Sequence, residues 1–210
     1  MYSFEYMNTK ELFLTVGISY LIIFVTAIFA NFFALEVLIN NPLGAINENG
    51  LLIRVGAMAF LIAALLDIVI AWGLYELYKE HILSRLSTYL RLTHAVLMGG
   101  AVFALLLVFN FDTSADILNQ VDIFNYIWLT GLFFFGFHLI LLTRIIKLPR
   151  FISIFLLLAG VMYIVDTSAH FLLSNYTAYA DVFLMLVAIP SIFGEMALGL
   201  WFLVKGLKRN

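Results

Sequence analysis

The 210-residue chain contains no cysteine. That excludes disulfides, thiolate metal ligands, a cysteine nucleophile and thioether-attached haem. Charge is scarce as well. Asp, Glu, Lys and Arg make up 11% of residues, against ~25% in a soluble domain. Proline occurs three times, as Pro42, Pro149 and Pro190, so little interrupts a long helix. Long polar stretches are missing too, which leaves no loop able to hold a soluble domain. The net charge is −2 and the basic residues are scattered, so there is no nucleic-acid footprint.

What remains is apolar. Hydrophobic residues make up 64% of the chain, and its mean hydropathy is +1.07. A chain of this size cannot hide so much apolar surface in a water-soluble core. Membrane lipid must be its solvent, and lipid admits only helices or closed barrels. The apolar runs are continuous, without the alternation of barrel strands, and this selects helices. Six runs reach the ~20 residues needed to cross a bilayer. They lie near 12–36, 52–78, 86–109, 123–146, 150–173 and 181–204. The first is longer than the core of a signal peptide and lacks a clean small-x-small site after it, so it reads as a retained helix.

The connections are short. Asn40-Asn41-Pro42-Leu43-Gly44 and Asn47-Glu48-Asn49-Gly50 have turn chemistry. Pro149 forces a tight link between the fourth and fifth helices, making them antiparallel neighbours. Residues 112–122 mix Asp112, Asp116 and Asp122 with Ile117, Leu118 and Val121, which predicts a short amphipathic turn on the membrane surface. Of the eleven Lys and Arg residues, all but Arg54 fall towards one side of this arrangement. The positive-inside rule then predicts both termini in the cytoplasm, with the chain in the inner (plasma) membrane. Trp72, Tyr75, Tyr78 and Trp201, with Tyr126, Trp128, Tyr176 and Tyr179 on the far side, read as interface anchors.

Ionisable side chains inside a membrane helix cost roughly 2.5–3.5 kcal/mol each on insertion scales. Such residues mark functional sites. Depth follows from counting at ~1.5 Å per residue from the cytoplasmic helix ends. Asp67 comes to about 16 Å, Glu195 to about 13–14 Å, and His94 and His138 to about 12 Å. The midplane of a ~30 Å core is near 15 Å. Two carboxylates and two imidazoles therefore share one level on four helices. Arg91 lies about one turn lower and, at i, i+3, on the same face as His94. Pro190 leaves the Leu186 carbonyl free and predicts a kink one turn above Glu195. Asp166 and His170, spaced i, i+4, form a second and outer polar cluster, with Tyr163, Thr167, Ser168 and Asn31 at similar levels.

Four readings of the inner layer follow. In the first, His138, His94 and Glu195 hold a divalent metal such as Zn. Asp67, Glu195 and Arg91 then serve as a catalytic set acting on a lipophilic small molecule. No HExxH motif accompanies them. In the second, midplane carboxylates and a kinked helix make a proton-coupled carrier, which with only six helices would need a homo-oligomer. In the third, His94 and His138 are axial haem ligands, a weak case for two lone histidines. In the fourth, the layer is an ion-pair network inside a sensor or assembly protein, with membrane lipids as its partners.

Several short motifs carry a resemblance. They are Tyr89-Leu90-Arg91-Leu92, Phe135-Gly136-Phe137-His138-Leu139 leading to Lys147-Leu148-Pro149-Arg150, and Tyr163-Ile164-Val165-Asp166. Gly194-Glu195-Met196-Ala197-Leu198 and Trp201-Phe202-Leu203-Val204-Lys205-Gly206 complete the set. In these the chain resembles a bacterial family of six-helix membrane proteins catalogued as domain of unknown function 4386. Asp67 falls where such proteins carry an acid, whereas His94 and His170 lie outside the pattern. The resemblance implies a polytopic membrane fold and no particular activity.

Overall fold

The computed structural model describes residues 8–209. It has six helices long and apolar enough to cross a membrane: α1 (Thr9–Asn40), α2 (Pro42–Tyr78), α3 (Ser84–Asn110), α4 (Ser114–Ile145), α5 (Arg150–Leu172) and α6 (Tyr176–Leu207). No strand occurs among the described residues.

Local chemistry sets the helix ends. Asn8 and Glu11 form a reciprocal capping box at the start of α1. The Asn41 side chain accepts from the Gly44 N–H, with Pro42 in the first turn of α2. Thr113 caps α4. Pro149 stands at the head of α5, where its missing N–H costs nothing.

Two stretches differ from the sequence expectation. Residues 42–51, which have turn-like composition, are already helical; they join the rest of α2 through Asn49, whose φ of −123° and ψ of 22° mark a kink. Residues 114–122 are the first turns of α4 rather than a separate surface turn. Their apolar residues follow the helical period: Ile117, Val121 and Phe124 are buried, while Asp116 and Asp122 point outward.

Each helix packs on its predecessor and its successor, and α6 closes on α1. The bundle is therefore a ring of antiparallel neighbours, with α2 also touching α4 across it. Small residues allow the close approaches. Gly17 faces Leu203, Gly199 faces Tyr20 and Gly206 faces Leu14 along the α1–α6 seam. Gly136 and Gly160 bring the α4 and α5 backbones together. The outer surface is a belt of large apolar side chains, among them Val25, Leu65, Val96, Phe103 and Leu184. A soluble monomer does not expose such a surface, and lipid covers it without penalty.

Two apolar cores fill the ring. One surrounds Phe60, Leu105 and Phe124, towards the α1–α2 and α3–α4 connections. The other surrounds Val16, Ile70, Leu142 and Phe202, towards the termini. Between them lies a polar layer.

Candidate functional site

Arg91 of α3 is the centre of that layer and is 1% exposed. Its guanidinium reaches three other helices. Nη2 donates to Asp67 Oδ1 of α2 at 2.5 Å. Nη1 donates to the Tyr20 hydroxyl of α1 at 2.7 Å and to His138 Nε2 of α4 at 3.2 Å. The rings of Tyr20 and Phe135 lie 4.9 and 5.1 Å from its central carbon. A planar cation with several fixed donors suits such a junction better than an ammonium does.

These contacts assign the His138 tautomer. Guanidinium nitrogens only donate, so Nε2 must accept, and the ring proton sits on Nδ1. Nδ1 faces the Ser87 carbonyl at 3.0 Å and the Ser87 hydroxyl at 2.8 Å. His138 is thus neutral and fully engaged. His94 is looser. Its Nε2 lies 3.5 Å from Asp67 Oδ2, an ion-pair distance that is long for a hydrogen bond. Its ring stacks on Phe135 with centroids 4.5 Å apart. Its Nδ1 is buried without a partner, as is Arg91 Nε.

Glu195 stands at the edge of the layer and is only partly buried. Tyr163 of α5 donates its hydroxyl to Glu195 Oε1 at 3.1 Å. Among the described residues, no Lys, Arg or His forms an ion pair with Glu195. Every one of the six helices thus supplies a polar side chain: Tyr20, Asp67, Arg91 with His94, His138, Tyr163 and Glu195. Sequence reasoning missed Tyr20 and Ser87, and placed Tyr163 with the outer cluster. Tyr20 had a usable signal: it is as many residues from Thr9 as Asp67 is from Tyr78, so it belongs at the same depth of about 16 Å.

The metal expectation does not fit this arrangement. Among the described residues, no three His, Asp or Glu side chains converge to hold an ion. The Arg91 guanidinium fills the point where Asp67 and His138 meet, and its positive charge opposes a second cation there. Haem ligation by His94 and His138 meets the same obstacle, because His138 Nε2 is already bonded to Arg91.

The outer pair does not bond internally. The Tyr176 hydroxyl donates to Asp166 Oδ1 at 2.7 Å, and the His170 ring packs on Tyr176 at 4.4 Å. Thr167 donates to the Leu129 carbonyl and ties α5 to α4. Asn31 takes no part: its amide donates to the Ala27 carbonyl of its own helix, beside a wider turn at Ala30–Leu35. A polar recess of about 290 Å³, lined by Asp122, Tyr126, His170 and Tyr176, opens at this end.

Two further spaces lie on either side of the layer, the first touching its His138 and the second lined by none of its residues. On the side of the termini, a cavity of about 10 Å³ touches Tyr78, Ser84, Ser87, Thr88 and His138, room for about one water. On the other side, α1 and α6 part. A groove of about 540 Å³ opens between them, lined by Phe24, Ala27, Phe32, Leu184, Ala188 and Ile192 among others. Its walls are almost wholly apolar.

Six apolar helices closed around a shared polar layer define a polytopic integral membrane protein. The chain belongs to the family described as Domain of unknown function (DUF4386), whose family model matches residues 15–206 and so takes in all six helices. No curated protein and no solved structure matches the chain.

Proposed function

We propose that the protein binds a small lipophilic molecule that enters sideways from the bilayer and meets the polar layer at its Glu195 edge. The groove between α1 and α6 carries this reading. Its volume of about 540 Å³ lies within the ~300–1,000 Å³ of small-molecule pockets. Its walls match a ligand dissolved in lipid, and Ile192 on its wall is one helical turn from Glu195, a polar group that can fix an orientation. In this reading Arg91, Asp67 and His138 hold the floor rigid, and Tyr163 and Glu195 face the ligand. The Lys and Arg bias supports a reading with both termini in the cytoplasm of the inner membrane, in which the groove opens to the outer leaflet.

A carrier is the second reading. The water-sized cavity beneath His138 supports it, because it gives room for about one water on the opposite side of the same layer.

Thermal unfolding in lipid nanodiscs against a panel of lipophilic compounds tests the binding reading. A ligand at a hundred times its Kd adds ~2.7 kcal/mol of stability. For a chain of this size that raises Tm by about 5–11 °C. Ala188→Trp and Ala27→Trp, which fill the groove, are expected to abolish the rise while the helix content stays unchanged. An equal rise in wild type and both variants would place the ligand elsewhere. A dimer that Ala188→Trp dissociates would make the groove a seat for a second copy and refute the reading.

A further inference from the structure

We infer that the ligand of the α1–α6 groove is a lipophilic cation, with the Glu195 carboxylate as its counter-charge; this inference rests on the binding reading above. The argument starts from the seam. Along α6, the side chains Leu184, Ala188 and Ile192 line the groove, and Gly199, Leu203 and Gly206 lie against α1 below it. Glu195 falls between Ile192 and Gly199 on this one stripe, at helical spacing from both. On α1, the contact at Gly199 is made by Tyr20, and the first groove residue above it is Phe24. The two helices therefore part at about the level of Glu195, which lies one helical turn below the lining residue Ile192.

Charge selects the ligand. The layer holds one guanidinium and two carboxylates. Asp67 takes the guanidinium by a direct bond at 2.5 Å. Glu195 has a tyrosine hydroxyl and, among the described residues, no bonded cation. A carboxylate at this depth needs a counter-charge, supplied either by a proton or by a molecule from outside. None of the groove-lining residues is basic, and Glu36 lies at its far end, exposed. An anionic ligand would meet two carboxylates and no cation. A neutral one would leave Glu195 to a proton and gain nothing from its charge. A bulky ammonium or phosphonium satisfies Glu195, buries its apolar body against the groove walls, and gains cation–π attraction from Phe24.

The test uses the full chain in lipid nanodiscs and two probes: tetraphenylphosphonium, and triphenylphosphine oxide as an uncharged counterpart. Wild type is expected to bind the cation at least tenfold more tightly than the uncharged probe. Glu195→Gln should lose that preference, Glu195→Asp should retain part of it, and Ala188→Trp should bind neither. Unchanged helix content in the variants guards against misfolding as the cause. If both probes bind equally to wild type and Glu195→Gln, and Ala188→Trp loses both, the groove stands as a lipophilic site and the cation assignment fails. If neither probe binds wild type, both readings fall.

Discussion

Replacing Arg91 tests whether the polar layer is one coupled unit. Arg91→Met leaves the Asp67 carboxylate buried with only His94 at 3.5 Å, and takes donors away from Tyr20 and His138. Breaking a buried ion pair by removing one partner costs ~3–5 kcal/mol, because the remaining charge is stranded. At ~2–4 °C per kcal/mol this lowers Tm by about 6–20 °C. Asp67→Asn strands the guanidinium instead, and a fall of the same order is expected. The double variant strands neither charge. Its loss is expected to be well below the sum of the two single losses, giving a coupling of ~2–3 kcal/mol, at the upper end for residues in direct contact. Thermal unfolding of the four proteins in one detergent supplies the cycle. Losses that add within ~0.5 kcal/mol would mean that Arg91 and Asp67 act independently, and the account of the layer as a charge-paired junction would be wrong.

Two further outcomes check how the ring is built. A methyl group at Gly136 would meet the Gly160 carbonyl oxygen, a backbone atom that cannot swing aside, whereas one at Gly100 meets nothing within 4 Å. Gly136→Ala is therefore expected to cost 1–3 kcal/mol through overpacking, and Gly100→Ala to gain up to ~1 kcal/mol from helix propensity, both read from Tm. The Asp116 N–H donates to the Thr113 hydroxyl at 3.2 Å at the start of α4. Thr113→Ala should lower stability by ~1 kcal/mol and speed amide exchange in the first turn of α4 while leaving α5 unchanged; no local change would rule out the cap.

The six membrane helices were legible because apolar length is a coarse signal that tertiary contacts do not overrule. Their ends were not. Asn47-Glu48-Asn49-Gly50 has the composition of a turn, but the Asn41 cap and Pro42 begin α2 before it, and the helix absorbs the difference as a kink at Asn49. The depth of Asp67, His94 and His138 could be counted because a straight helix rises evenly. Their mutual geometry could not, since rotation of each helix about its axis is set by packing that no single segment contains. That is why two imidazoles and two carboxylates read equally well as a metal set. Nothing in their spacing tells that Arg91 reaches between them. Tyr20 was overlooked for a different reason: an uncharged hydroxyl carries little insertion penalty, so it does not stand out against an apolar helix as Asp67 does.

Tyr20 links the two halves of the site. Its Cβ packs against Gly199 on the α1–α6 seam, and its hydroxyl accepts from Arg91. Arg91 in turn is bonded to α2 through Asp67 and to α4 through His138. An occupant that widens the groove therefore strains a bond to Arg91, which joins four helices. On the opposite side, His138 lies against Ser87 and the water-sized cavity. A chain of contacts from the α1–α6 seam to the cavity runs through three side chains, Tyr20, Arg91 and His138. A carrier would need this junction to take two discrete arrangements that an occupant can bias. For a protein that only binds, the same junction keeps the groove floor fixed. The distinction rests on whether the Arg91 bonds break when the groove fills.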